Sequence, residues 1–87
     1  MRKLWLEEAW AEYISWQDVD RKTVKKIHKL LEDIDRHGYQ CTGKPEPLKG
    51  NLSGFWSVRI DSKNRIVFRI NDNAIEIVQC GTHYNDK

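Results

Sequence analysis

The sequence predicts an α+β domain in which two N-terminal helices pack on an antiparallel sheet. Three observations carry this. Apolar residues before position 37 recur at helical spacing. From Phe55 onward they alternate with polar ones. Between these regions, 38–54 holds both prolines and most of the glycines, which marks a loop. The chain has 87 residues. That argues for a single domain over 1–87, burying roughly two thirds of its unfolded surface. The apolar fraction is 39% and the charged fraction 32%, with a mean hydropathy of −0.75. Four Trp, three Tyr and two Phe supply large packing units and argue against disorder.

Residues 2–6 form a short, mostly apolar run that suits a first strand. Leu6, Trp10, Tyr13 and Ile14, with Trp16 nearby, set the period of the first helix. Asp18-Val19-Asp20 interrupts it and offers a cap for a second helix. There Val24, Ile27, Leu30, Leu31 and Ile34 give the clearest period in the chain, and Gly38 is placed to end it. Pro45 and Pro47 flank Glu46, bar a helix and stiffen the loop. Stiffness holds a charged side chain still at low entropic cost.

The strands follow from the alternation. Trp56, Val58, Ile66 and Phe68 share the core face if Arg59 and Arg65 share the other. A three-residue connection at 61–63 places Arg59 opposite Arg65, and a two-residue turn at Asp72-Asn73 pairs Arg69 with Glu76. Two arginines side by side are unfavourable unless an anion sits between them. A purely structural sheet would avoid that cost, so the pair signals a site.

Net charge is only +2, but its distribution is uneven. Residues 7–20 carry five acids and no base, and 21–29 carry five bases and no acid. Residues 44–70 add a further net +4. Lys22, Lys25, Lys26 and Lys29 recur at i, i+3, i+4 and i+7, opposite the apolar stripe. This suits a face that meets RNA phosphates, although an ordinary amphipathic helix shows the same pattern. No window holds eighteen apolar residues, and the N-terminus meets acid too early for a secretory signal. The expectation is a cytoplasmic protein with no membrane partner, whose Cys41 and Cys80 stay reduced.

Glu46 and His83 are the candidates for proton transfer, and Lys49, Arg59 and Arg65 can supply positive charge. A carboxylate base, an imidazole acid and clustered cations suit transphosphorylation of RNA. An imidazole, titrating ordinarily near 6.5, fits the acid role. The same residue types also occupy ordinary solvated surfaces. His37-x3-Cys41 and Cys80-x2-His83 could together hold zinc, but neither has the tight Cys-x2-Cys spacing, so no metal or other cofactor is expected.

Gly43-Lys44-Pro45-Glu46-Pro47-Leu48-Lys49, Asn51-Leu52-Ser53-Gly54-Phe55-Trp56-Ser57, Lys25-Lys26-Ile27 and the closing His83-Tyr84 resemble the YoeB/Txe toxins of bacterial type II toxin–antitoxin systems, within the RelE-like ribonuclease superfamily. The resemblance runs from Trp5 to Tyr84. It implies a RelE/ParE-like fold and an endoribonuclease that cuts messenger RNA in the A site of the 70S ribosome. It further implies a YefM-type antitoxin and homodimers. By position, Glu46 resembles the general base, His83 the general acid and Arg65 the transition-state stabiliser. Lys49, Arg59 and Tyr84 resemble further substrate-binding residues, with Lys22, Lys25, Lys26 and Lys29 free to meet the ribosome. No metal is used in that family. Many of its members carry an arginine where this chain has Val58, and many end at the tyrosine where Asn85-Asp86-Lys87 continue here. The alternative is a toxin-like binding protein without nuclease activity, either a gyrase-poisoning relative or an RNA- or partner-binding module.

Overall fold

The computed structural model describes residues 1–81. The chain runs β1 (Arg2–Trp5), α1 (Glu7–Val19), α2 (Arg21–His37), β2 (Glu46–Pro47), β3 (Trp56–Arg59), β4 (Arg65–Asn71) and β5 (Ala74–Gly81), with single 3-10 turns at Gly38–Gln40 and Gly50–Leu52. The five strands form one sheet in the order β1-β5-β4-β3-β2. The α+β architecture with two helices on a sheet is as the sequence predicts, with one correction. β1 lies parallel to β5, from Arg2 opposite Ala74 to Trp5 opposite Ile77, so the sheet is mixed. A parallel neighbour needs a long crossover, and here the rest of the chain supplies it.

The hairpins take the expected register. Arg59 stands opposite Arg65 and Arg69 opposite Glu76. Asp72 and Asn73 have φ of 57° and 58°, the left-handed pair of a two-residue hairpin turn. The Arg69 Nε donates to Glu76 Oε1 at 2.6 Å, a bond that holds the Glu76 carboxyl below its usual range. One irregularity is absent from the alternation. Val67 pairs Gln79 but Phe68 pairs Ile77, which leaves Val78 as a bulge. Ile77 and Cys80 are therefore both fully buried on the core face, against Phe68 and Ile66.

The second helix follows its pattern. The Asp20 carboxylate accepts the backbone N–H groups of Lys22 and Thr23 and the Thr23 hydroxyl, a complete N-cap. Ile27, Leu30, Leu31 and Ile34 are buried with Val58, Ile66, Phe68, Ile75 and Ile77 in one core. Gly38 ends the helix at φ 61°. Lys22, Lys25, Lys26 and Lys29 are all exposed on the opposite side.

The first helix does not follow its pattern. Leu6, Trp10 and Ile14 are 52%, 46% and 42% exposed, while Ala9 is buried and Glu12, Tyr13 and Trp16 are half-buried. The face turned inward is set by hydrogen bonds as well as by apolar area. Glu12 Oε1 accepts the Cys80 N–H at 2.7 Å and the Trp16 indole N–H donates to Cys80 O at 2.9 Å. Pairing with β1 ends at Ile77, and these two side chains take the place of a strand beyond it. Tyr39 does the same on β4 past the end of β3, where its hydroxyl accepts the Ile70 N–H at 2.7 Å.

The connection at 38–54 is more structured than a plain loop. Glu46 and Pro47 pair with Ser57 and Trp56 as a two-residue edge strand, the position where a proline costs no ladder bond. Gly43 has φ 87°, and a Cβ there would come 2.9 Å from Leu30 Cδ2, so only glycine fits between α2 and β3.

The Asp20 cap makes a testable statement about pH. The Thr23 hydroxyl, followed by the two backbone N–H groups, lowers the carboxyl below its ordinary range. Its stabilisation is therefore present above the unfolded carboxylate pKa and is lost as pH falls through the lower folded value. Asp20→Ala should lower the thermal midpoint at pH 7, and the gap to the wild type should close below about pH 4, as read by circular dichroism melts. A gap that is constant with pH would contradict the assignment.

Candidate active site

The face of the sheet turned away from the helices gathers the candidate residues in two adjacent rows. One row runs Glu46–Ser57–Val67–Gln79 across β2, β3, β4 and β5, and the next runs Arg59–Arg65–Gly81. Residues opposite one another point to the same side. The Arg65 Nη1 lies 3.8 Å from Glu46 Oε1 and 3.3 Å from the Ser57 hydroxyl. Ser57 and Val67 are fully buried and form the floor. Arg59 is exposed beside Arg65. Lys49 is exposed at the residue before the Gly50–Leu52 turn, and the Leu48 N–H donates to Phe55 O at 2.9 Å to close that segment.

This arrangement brings Glu46, Arg59 and Arg65 together and puts Lys49 on the same edge hairpin. His83 and Tyr84 lie outside the described residues. Lys22, Lys25, Lys26 and Lys29 are not part of this cluster, since α2 packs on the other face of the sheet. Ser57 is the member that sequence reasoning missed, although its parity with Arg59 places it on this face. Gln79 was hidden by the bulge at Val78.

The geometry explains how adjacent arginines are tolerated. Glu46 supplies the anion, and Ser57 orients the guanidinium. The Glu46 side chain is 60% exposed. A pair that open to solvent contributes roughly 0–1 kcal/mol. An incoming phosphate can therefore displace it from Arg65 at small cost and leave a carboxylate beside the bound anion.

The other His and Cys side chains among the described residues lie away from this face. Tyr13 Oη and His28 Nε2 are 2.6 Å apart on the helical layer, and His37 Nε2 lies 3.6 Å from Asp33 Oδ1 within α2. Cys41 and Cys80 are buried free thiols. Burial, with the Glu12 charge beside it, pushes the Cys80 thiol up to about 12. Among the described residues no three His, Cys, Asp or Glu side chains converge as metal ligands. No helix there is long and apolar enough to cross a membrane.

A family profile described as the YoeB-like toxin of bacterial type II toxin-antitoxin system matches residues 5–84. Toxin YoeB of Escherichia coli K12 is 46% identical over 84 residues, covering 97% of this chain and all of that one. The YoeB/ParE toxin from Agrobacterium tumefaciens superposes with a TM-score of 0.92 at 38% identity, over 97% of this chain and all of that one. From Staphylococcus aureus, a YoeB-YefM complex (TM-score 0.90, 41% identity) and a YoeB dimer (0.89, 42%) each match 97% of this chain and 98% of theirs. The fold is thus the RelE/ParE-like toxin fold expected from the sequence. With a profile spanning Trp5 to Tyr84 and a relative matched along its whole length, the chain belongs to the YoeB-like toxin family of bacterial type II toxin-antitoxin systems.

Proposed function

We propose that the chain is a ribosome-dependent endoribonuclease that cuts messenger RNA in the A site by 2′-OH transphosphorylation, acts in the cytoplasm and is silenced by a YefM-type antitoxin. The observation that carries this reading is the Glu46 carboxylate held 3.8 Å from the Arg65 guanidinium with Arg59 alongside. When the scissile phosphate takes Arg65, Glu46 is free to accept the proton of the ribose 2′-OH. The 2′ oxygen attacks phosphorus, Arg65, Arg59 and Lys49 hold the charge on the phosphoryl oxygens, and the bond to the 5′ oxygen breaks. His83 returns a proton to that oxygen, and Tyr84 contributes to substrate binding. Gly81, beside Arg65, stands two residues before His83 in the chain. The products are a cyclic 2′,3′-phosphate and a 5′-OH.

The test is in vitro translation with mapped ends. Glu46→Ala and His83→Ala should each slow cutting by about 10²–10⁴-fold, the usual range for general acid–base groups, and Arg65→Ala by about 10²–10³-fold, as for a lost donor to the transition-state charge. A 2′-deoxy sugar at the cleaved position should block it. A 5′-phosphate on the downstream fragment would overturn the mechanism. Arrested growth with uncut messenger RNA would favour the non-nuclease reading, as a gyrase poison or a binding module.

The two basic regions face opposite ways across the sheet, which supports separate tasks: Arg59 and Arg65 for the substrate, the α2 stripe for ribosomal RNA. Reversing Lys22, Lys25, Lys26 and Lys29 to Glu should remove most ribosome co-sedimentation, and wild-type binding should fall steeply with salt. Unchanged co-sedimentation of the variant would return the stripe to solvated surface.

A homodimer also fits. Leu6, the N-cap residue of α1, and Trp10 and Ile14 within the helix form an exposed apolar row at i, i+4 and i+8. Trp10→Glu should shift the protein to monomer by sedimentation equilibrium if the row is the contact between copies. An unaltered mass would place the contact elsewhere.

A further inference from the structure

The face of the sheet that carries the candidate active site continues beyond it, along β4 toward the Asp72-Asn73 turn. We infer that Phe55, Arg69 and Glu76 form a platform there on which one base of the messenger RNA stacks, near the scissile phosphate. The inference rests on the reading of the chain as an RNA-cutting enzyme and gives its substrate a second point of contact.

Alternation puts the three residues on that face. Phe55 stands two residues before Ser57, and Arg69 two residues after Val67, so each shares a side with its neighbour. Glu76 pairs with Arg69 across the next ladder. The Arg69 guanidinium stands over the Phe55 ring, 5.0 Å from its centroid. Its Nε donates to Glu76 Oε1 at 2.6 Å, and Asn71 Nδ2 donates to Glu76 Oε2 at 3.4 Å. The ring is itself anchored, since the Phe55 N–H donates to Leu52 O and the Phe55 carbonyl accepts the Leu48 N–H, both at 2.9 Å. The guanidinium is thus held by a ring against its plane and a carboxylate at its edge, yet the Arg69 side chain is 44% exposed.

The charge balance suits a base better than a second phosphate. Arg59 and Arg65 set two cations against the Glu46 carboxylate, which keeps their row positive for a phosphate. Arg69 is matched by Glu76, whose carboxyl its hydrogen bond holds below the usual range, so what it has left to offer is its plane. Unpaired bases of single-stranded RNA stack on guanidinium planes as they do on aromatic rings. A guanidinium already fixed in place gives up little freedom when a base lands on it. Arg65 and Arg69 are four residues apart on one strand, roughly 13 Å. A stacked strand covers that in about four nucleotides at about 3.4 Å each, and an extended one in fewer.

Single-turnover cutting on ribosomes programmed with messages that lack one base tests this. Arg69→Ala should raise the protein concentration needed for half-maximal cutting by about 10–100-fold, the range for one stacked base, with the rate at saturation unchanged. Arg69→Lys keeps the charge but not the plane, so it should be as weak as Arg69→Ala; it carries the test if Arg69→Ala does not fold by circular dichroism. Removing the base at one position within about four nucleotides of the cleaved bond should weaken the wild type by a similar factor and leave the Arg69 variants unaffected. An Arg69→Lys that cuts like the wild type would make Arg69 a plain cation and overturn the inference. So would a wild type indifferent to every missing base, or losses that multiply when variant and missing base are combined. Unchanged cutting with weakened neutralisation by a YefM-type antitoxin would make the platform a protein contact instead, which also overturns it. A wild type that leaves every intact message uncut would remove the RNA-cutting reading itself, and this inference with it.

Discussion

The unequal lengths of the strands govern most of this structure. β4 and β5 pair over almost their full length, while β1 meets β5 only from Ala74 to Ile77 and β3 meets β4 only from Arg65 to Phe68. Each long strand therefore overhangs its shorter neighbour. A buried backbone donor left unmet costs about 1–3 kcal/mol, so each overhang demands partners. Glu12 and Trp16 meet the need at Cys80, and Tyr39 meets it at Ile70. Those same side chains fix where α1 lies and how the chain leaves α2. The helices are placed by the ladder's unfinished edges as much as by the oily core.

The sheet also separates two electrostatic environments. Its helical face is apolar and close-packed, and its other face carries Glu46, Ser57, Arg59 and Arg65 in neighbouring register positions. Cross-strand pairing puts these charges within a few ångströms without any loop having to fold over them. Positions on strands are more sharply defined than positions on loops. The prolines around Glu46 are part of this, because they let a two-residue edge strand form where a longer one would extend the sheet.

Much of this was legible in the sequence where one local rule acted alone. The Asp72-Asn73 turn fixed the register of Arg69 with Glu76, and the connection at 61–63 fixed Arg59 with Arg65. The period of α2 named its buried face correctly because its apolar stripe and its tertiary partner coincide. The period of α1 failed because the inward face is chosen by Glu12 and Trp16 through backbone groups of a strand 64 and 68 residues away. β1 read as a strand, but its parallel partner depends on the whole topology. At the site, Glu46, Arg59 and Arg65 came from charge and spacing, and their grouping came from register. Ser57 carries no charge to single it out, yet it is fully buried and accepts from the Arg65 guanidinium.

The bulge at Val78 carries a consequence for how this chain can vary. Counting in twos from Ile77, which faces the core, reaches Gln79 and Gly81, and an unbroken strand would turn both inward. With one residue set aside at Val78, Cys80 takes the inward position, and Gln79 and Gly81 pair with Val67 and Arg65. The segment after Ile77 is therefore constrained first in its length. A substitution there changes one side chain, but the gain or loss of a single residue exchanges the inner and outer sets together. Natural variants should accordingly tolerate differences in composition at this point far better than differences in the number of residues.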